Sequence, residues 1–221
     1  MPRIARVAPG GMLFHVLNRS VGRMRLFRTD RDYRAFAGVV EETLRVAPIR
    51  VCAYCWMPNH WHFVLWPARD GDLSGFMQRM TNMHTQRWQR AKRRVGYGHL
   101  YQGRFKSFPI ESDEHFYSVV RYVERNALRA ELVERAEQWP WGSLRGAAGA
   151  GPALCDWPLP RPADWIERVN SPQTAAELER IRRSVRRGSP FGDAEWSEQA
   201  AEQLGLQPTL RPRGRPRKKP N

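Results

Sequence analysis

The chain has 221 residues, enough for one core of roughly 100–150 residues with an appendage. Its 41% apolar content is ordinary for a globular protein, and no window approaches the ~20 consecutive apolar residues of a membrane span. A formal net charge of +15 makes a polyanion the expected partner, nucleic acid ahead of a membrane surface.

Taken in chain order, "MPRIARVAPGG" lacks the apolar segment of a secretory signal, so a cytoplasmic, nucleoid-associated protein is expected. "MLFHVLNR" predicts a strand over 12–19. A helix follows over 30–46, capped by Thr29 or Asp30 and carrying Phe36, Val39, Val40 and Leu44 at helical spacing. Strands are expected over 49–56 and 60–66, with "MPN" as their hairpin turn. A long basic helix fits 72–94, "VGYGH" ends it, and another strand fits 104–110. The order β-α-β-β-α-β predicts an α+β fold, a ferredoxin-like sandwich with one antiparallel sheet. A further helix begins near Asp113 and precedes "WPWGS", whose Trp139 and Trp141 read as core packing. Residues 146–172, rich in Gly, Pro and Ala, read as an irregular connection, with short helices over 173–187 and 193–204 and a basic tail after them. The expected organisation is a catalytic domain over 1–145, a linker and helical extension over 146–204, and a disordered tail over 205–221.

The charge is concentrated. No acidic residue lies between Asp72 and Glu111, a span holding Arg79, Arg87, Arg90, Lys92, Arg93, Arg94, Arg104 and Lys106. The end of the chain adds Arg211, Arg213, Arg215, Arg217, Lys218 and Lys219. Two such tracts are a polyanion-binding pattern. Cys52 and Cys55 form a C-x-x-C, open to a redox or zinc reading but read here as two small residues filling a strand.

The chemistry centres on "CWMPNHWHFVLWP". Alternate residues of a strand share a side, so His60 and His62 project together while Trp61, Phe63 and Leu65 face a core. Two imidazoles at that spacing can converge on one divalent cation, but a third ligand is needed. On the later helix Phe116, Val119, Val120 and Val123 form a packed stripe, and Tyr122 and Asn126 lie four apart along one edge of it. Tyr117 is on the opposite edge. A phenol beside a metal held by two histidines suits attack on a phosphodiester and a covalent phosphotyrosine. The bland alternatives are incidental histidines, a boundary tyrosine and a helix-end asparagine. His15, His84, His99 and His115 read as structural or solvated.

The set "HVLNRS", "MPNHWHFVLWP", "LYQGRFKSFPIE", "RYVERNALRAELV", "WPWGS" and "LRPRGRPRK", spread over nearly the whole chain, resembles the REP-associated tyrosine transposases, within the IS200-like group of single-tyrosine HUH enzymes. The resemblance implies a ferredoxin-like core and cleavage of single-stranded DNA hairpins at REP-like repeats with Mg²⁺ or Mn²⁺. It further implies a 5′-phosphotyrosine intermediate and a free 3′-OH. It puts the nucleophile at Tyr122, metal ligands at His60 and His62, and an assisting ligand at Asn126. The family commonly reads Asn-Pro where this chain has Asn126-Ala127, which bears on how the helix ends and how Asn126 is oriented. A monomer is the expected state. The competing reading is a DNA-binding protein that keeps the fold without turnover; an RNA-binding module is weakened by the lack of an RRM-type aromatic signature.

Arg104, after a glycine, is the expected phosphate contact, with Arg87, Arg90, Arg93 and Arg94 along the basic helix. Trp88, Tyr97, Tyr101 and Phe105 are candidate stacking platforms for bases. The tail around Gly214-Arg215-Pro216 resembles an AT-hook, so Arg213, Arg215 and Arg217 are expected in a duplex minor groove.

Overall fold

The computed structural model describes residues 7–148 and 151–211. Its sheet is built from β1 (Leu13–Arg19), β2 (Arg50–Met57), β3 (His60–Trp66) and β4 (Lys106–Ile110). Their spatial order is β2-β3-β1-β4 and every pairing is antiparallel. With α1 (Asp30–Val46) and α2 (Asp72–Ala91) between the strands, this is the expected ferredoxin-like order, and the fold is α+β.

Period-two alternation sorts the strands onto two cores. Trp61, Phe63 and Leu65 of β3 join Phe14 and Val16 of β1 in a cluster filled by Phe36, Val40, Phe76 and Met80 of α1 and α2. The other face carries Leu13, Val64 and Phe108, covered by Phe116, Val119, Val120 and Val123 of α3 (Glu114–Glu124). An antiparallel sheet often leaves one face wet. Here α3 closes the second face, which is why β2 is buried almost throughout. Asp113 caps α3 by accepting from the His115 backbone N–H at 2.8 Å.

The predicted single helix from Asp113 onward breaks at Arg125 and resumes as α4 (Asn126–Arg129). The larger departure lies in 146–172. Residues 151–172 are not a loose connection. They pack on the second core and contain α5 (Trp165–Asn170), whose Trp165 is buried. Cys155 N–H donates to Val51 O and the Trp157 indole to Cys52 O, so this segment is laid along the edge strand β2. Arg121 of α3 and Arg125 just after it reach the carbonyls of Val169, Ser171 and Pro172, closing the α5 end. Then come α6 (Ala175–Arg187), α7 (Ala194–Leu204) and α8 (Gln207–Leu210). The chain between α6 and α7 runs beside β4, with Phe191 bonded to Pro109 and Glu111.

Both C-x-x-C cysteines are buried, as expected of space-fillers, but they do not face one another. The Cys52 sulfur lies 3.6 Å from that of Cys155, and the Cys55 thiol points at Met57. No helix among the described residues is long and apolar enough to cross a membrane.

Candidate active site

β3 places His60 and His62 on the face covered by α3, with ring centroids 5.0 Å apart. Each ring has one nitrogen engaged. His60 Nδ1 is 2.6 Å from Asn59 Oδ1, so it is the donor there and Nε2 keeps its lone pair. His62 Nδ1 is 2.8 Å from His15 Nε2. A proton on His62 Nδ1, donated to His15, likewise leaves Nε2 of His62 open. Such outward bonds fix ring and tautomer in metal-binding histidines. Burial drives the His60 imidazole down to about 3, with Arg19 and Arg129 adding to the shift. His62 is held well below its ordinary value, by burial first and then by His15 and His60. Both are therefore neutral near pH 7, the form that ligates.

Tyr122 stands over this pair. Its ring meets His62 edge-on at 6.0 Å and His15 at 6.2 Å. The Arg129 guanidinium lies 4.2 Å from the Tyr122 ring centre. Arg19, at the end of β1, is close enough to feel Tyr122 electrostatically. Tyr117 does lie on the other edge of α3, with its hydroxyl on the Pro160 carbonyl and its ring against Trp157 and Trp165.

Asn126 follows Tyr122 across the break at Arg125 and is buried. Its Oδ1 accepts from Arg129 at 3.0 Å, while its Nδ2 is buried with no partner among the described residues. The donor set thus fits a divalent cation at the two histidines, and the third oxygen is present but turned to Arg129. The unpartnered Nδ2 is a hydrogen-bond donor, so it suits an acceptor such as a phosphate oxygen and not the cation itself. Another group of possible ligands, Glu111, Asp113 and His115, lies at the start of α3. There Glu111 accepts from the Asp193 N–H, and Arg180 lies 3.2 Å from His115.

The reading of the histidines missed His15, Arg19, Arg129 and Glu124. His15 is structural, as expected, but its structural role is to hold His62. Glu124 is buried and accepts from Ser143 Oγ and the Trp165 indole, each at 2.7 Å, fixing α3 two residues after Tyr122. Burial raises its carboxyl, and those two hydrogen bonds oppose the shift.

The stacking platforms need correction. Trp88 is buried with its indole on Leu26 O, and Tyr101 is buried between Trp61 and His84. Phe105 packs partly buried against the first core, which leaves Tyr97, 75% exposed, with Arg94 over its ring. Arg90, Arg93, Arg94 and Arg104 are exposed, whereas Arg87 pairs with Glu42 at 2.7 Å. Arg213, Arg215 and Arg217 lie outside the described residues.

The family model for IS200-like transposases matches residues 10–126, the span from before β1 to Asn126. The REP-associated tyrosine transposase of Escherichia coli K12 is 22% identical over 152 residues, covering 67% of this chain and 85% of that protein. A solved REP-associated tyrosine transposase bound to a REP hairpin superposes with a TM-score of 0.53 at 20% identity, covering 66% of this chain and 84% of the other. By the extent of that family match, and with the fold agreeing, the chain belongs to the IS200-like transposase family.

Proposed function

We propose that this protein cleaves and rejoins single-stranded DNA at hairpin-forming REP-like repeats, with Mg²⁺ or Mn²⁺ bound and a 5′-phosphotyrosine as intermediate. The observation that carries this reading is Tyr122 standing edge-on to His62, within a histidine pair whose Nδ1 atoms are both engaged. His60 and His62 would hold the cation through Nε2, with Asn126 as third ligand once its oxygen turns from Arg129. Bound there, the cation supplies polarisation of a phosphodiester oxygen. Tyr122 Oη forms the new bond to phosphorus as the bond to the 3′-oxygen breaks. The phenolic proton is released, and the departing 3′-oxygen takes one up. Arg129 and Arg19 put positive charge where the phenol oxygen becomes negative. Rejoining reverses the exchange, a 3′-OH displacing the tyrosine. That a similar protein is described bound to a REP hairpin supports the substrate class.

A DNA-binding protein without turnover is the second reading, favoured by the Asn126 oxygen being held by Arg129. A covalent-adduct assay on a denaturing gel separates the two. Wild type, Tyr122→Phe, Tyr117→Phe and His62→Ala are each given labelled hairpin DNA from the host's repeats, with Mn²⁺, Mg²⁺ or EDTA. The expected result is a metal-dependent adduct, absent with Tyr122→Phe, kept with Tyr117→Phe and reduced by more than ~100-fold with His62→Ala. Tight hairpin binding with no adduct in wild type would remove the catalytic reading.

A further inference from the structure

The matched family span ends at Asn126, yet α6, some fifty residues later, comes back to the edge of the site. It is held there firmly. The chain after α6 turns at Gly188, whose left-handed φ of 73° suits a helix end, and Phe191 then bonds to Pro109 and Glu111 beside β4. The arginines of α6 divide by face. Arg183 and Arg187 bond to the carbonyls of Leu210, Pro208 and Thr209, which fastens α8. Arg186 is exposed on the other side, and Arg182, also exposed, precedes it by four residues on the same helix.

That side is a cleft of about 520 Å³ between α6, the end of β1 and the 102–106 loop. Leu17, Arg19, Arg104, Lys106, Val185 and Arg186 line it, and among the described residues no acidic one does. The loop is fixed to β1: Gln102 N–H donates to Arg19 O at 3.0 Å and the Asn18 amide to Gly103 O at 3.2 Å. Arg186 is paired with Glu179 of its own helix, both half exposed. Such a pair is worth little, so a phosphate can take its place. The cleft also reaches the chemistry. Arg19 lines the cleft and is paired with His60 in the β1–β3 register, so the cleft opens beside the histidine pair.

We propose that α6 is the outer wall of a channel that grips the backbone phosphates of the single strand entering the Tyr122 site, with Arg182 and Arg186 on one side and Arg19, Arg104 and Lys106 on the other. The inference rests on single-stranded DNA being the substrate. It assigns part of the substrate grip to the extension outside the matched family span. Cations along a groove with apolar side chains at its base suit a single strand better than a duplex, whose phosphates are too widely spaced to enter together.

The test is the salt dependence of binding by the full chain, comparing Arg182→Gln/Arg186→Gln with wild type. The probes are a blunt REP hairpin and the same hairpin with a single-stranded flank. A charge-matched control, Arg34→Gln/Arg45→Gln, removes two exposed arginines from α1. Losing two phosphate contacts should flatten the slope of log K against log salt by about 1.4 on the flanked probe. Affinity for that probe should fall about tenfold, with the blunt hairpin and the α1 control unchanged. A wild-type slope on the flanked probe, an equal loss on the blunt hairpin, or an equal loss in the α1 control would overturn the channel. The two readings fail separately. An adduct-forming protein with an unchanged slope loses only the channel, and a flattened slope without any adduct keeps the channel and removes cleavage.

Discussion

The two faces of the sheet bury histidines in opposite ways. Under α1 and α2, the Trp61 indole donates to Tyr101 Oη at 3.0 Å, leaving the Tyr101 hydroxyl proton for His84 Nδ1. That chain closes on itself. Under α3, His15, His60, His62 and Asn126 are as deeply buried, yet among the described residues His15 Nδ1 and Asn126 Nδ2 have no partner and the Nε2 atoms of the pair are open. Burial alone therefore does not mark a site, because His84 and His60 are both pushed to about 3 by it. Between these histidines the difference is unused polar capacity, although that alone does not mark a site either, since Trp56 Nε1 on the α1/α2 side is also buried without a partner among the described residues.

The largest effect expected on stability is on the α3 face. Glu124→Ala leaves Ser143 and the Trp165 indole without their acceptor and opens space where α3, β2 and α5 meet. Each orphaned donor costs about 1–3 kcal/mol, so a loss of roughly 2–6 kcal/mol is expected in urea unfolding. If Glu124 positions Tyr122, adduct formation should fall even under conditions where the variant stays folded. A stable variant with full adduct yield would mean that α3 is set by its apolar stripe alone.

The next effect sharpens the contrast from the α1/α2 side. His84 must stay neutral to accept from Tyr101, and burial lowers its folded value to about 3 against 6.5 unfolded. Between those values the unfolded chain holds a proton that the folded chain refuses. Stability is then fully present above pH 6.5 and is lost as pH falls toward 3. At pH 5 this one group costs about 2 kcal/mol. Gln offers an oxygen to Tyr101 without titrating, so His84→Gln should flatten stability against pH by up to one proton between pH 6 and 4. Its adduct yield should stay near wild type, unlike that of His62→Ala. Parallel pH curves for His84→Gln and wild type would show that His84 is not the buried base described here.

What could be read from the sequence follows from range. His60 and His62 are set by the local period of a strand, and the structure brings Tyr122 to the same face, with Asn126 beyond the break at Arg125. The partner of His62 was not readable. His15 lies 47 positions away, and only the β1–β3 register brings it diagonally opposite. Trp88 and Tyr101 looked like platforms because cations flank them; the packing of α2 against Leu26 and Trp61 turned them inward. Proline and glycine made 146–172 look loose, but Trp157 and Trp165 in the same stretch were the signal that it packs.

The smallest effect concerns charge on the two faces. Arg87 of α2 lies 2.7 Å from Glu42 of α1, both side chains about half exposed, so this arginine ties two helices together. Arg186 on the far side lines the cleft instead, with Arg182 four residues before it on the same helix. An exposed pair contributes about 0.2–1 kcal/mol, so Arg87→Gln should move the urea midpoint only slightly. Its effect on DNA binding should be slight too, since Arg87 does not line the α6 cleft, whereas Arg90, Arg93 and Arg94 at the open end of α2 are exposed and unassigned. Glu42→Gln is the sharper half of the experiment. It frees Arg87, so affinity for the flanked hairpin should rise if that helix end meets DNA. No change with Glu42→Gln, alongside a loss with Arg182→Gln/Arg186→Gln, would assign the strand to the α6 side of the molecule and leave the Arg87 end of α2 as a solvated surface.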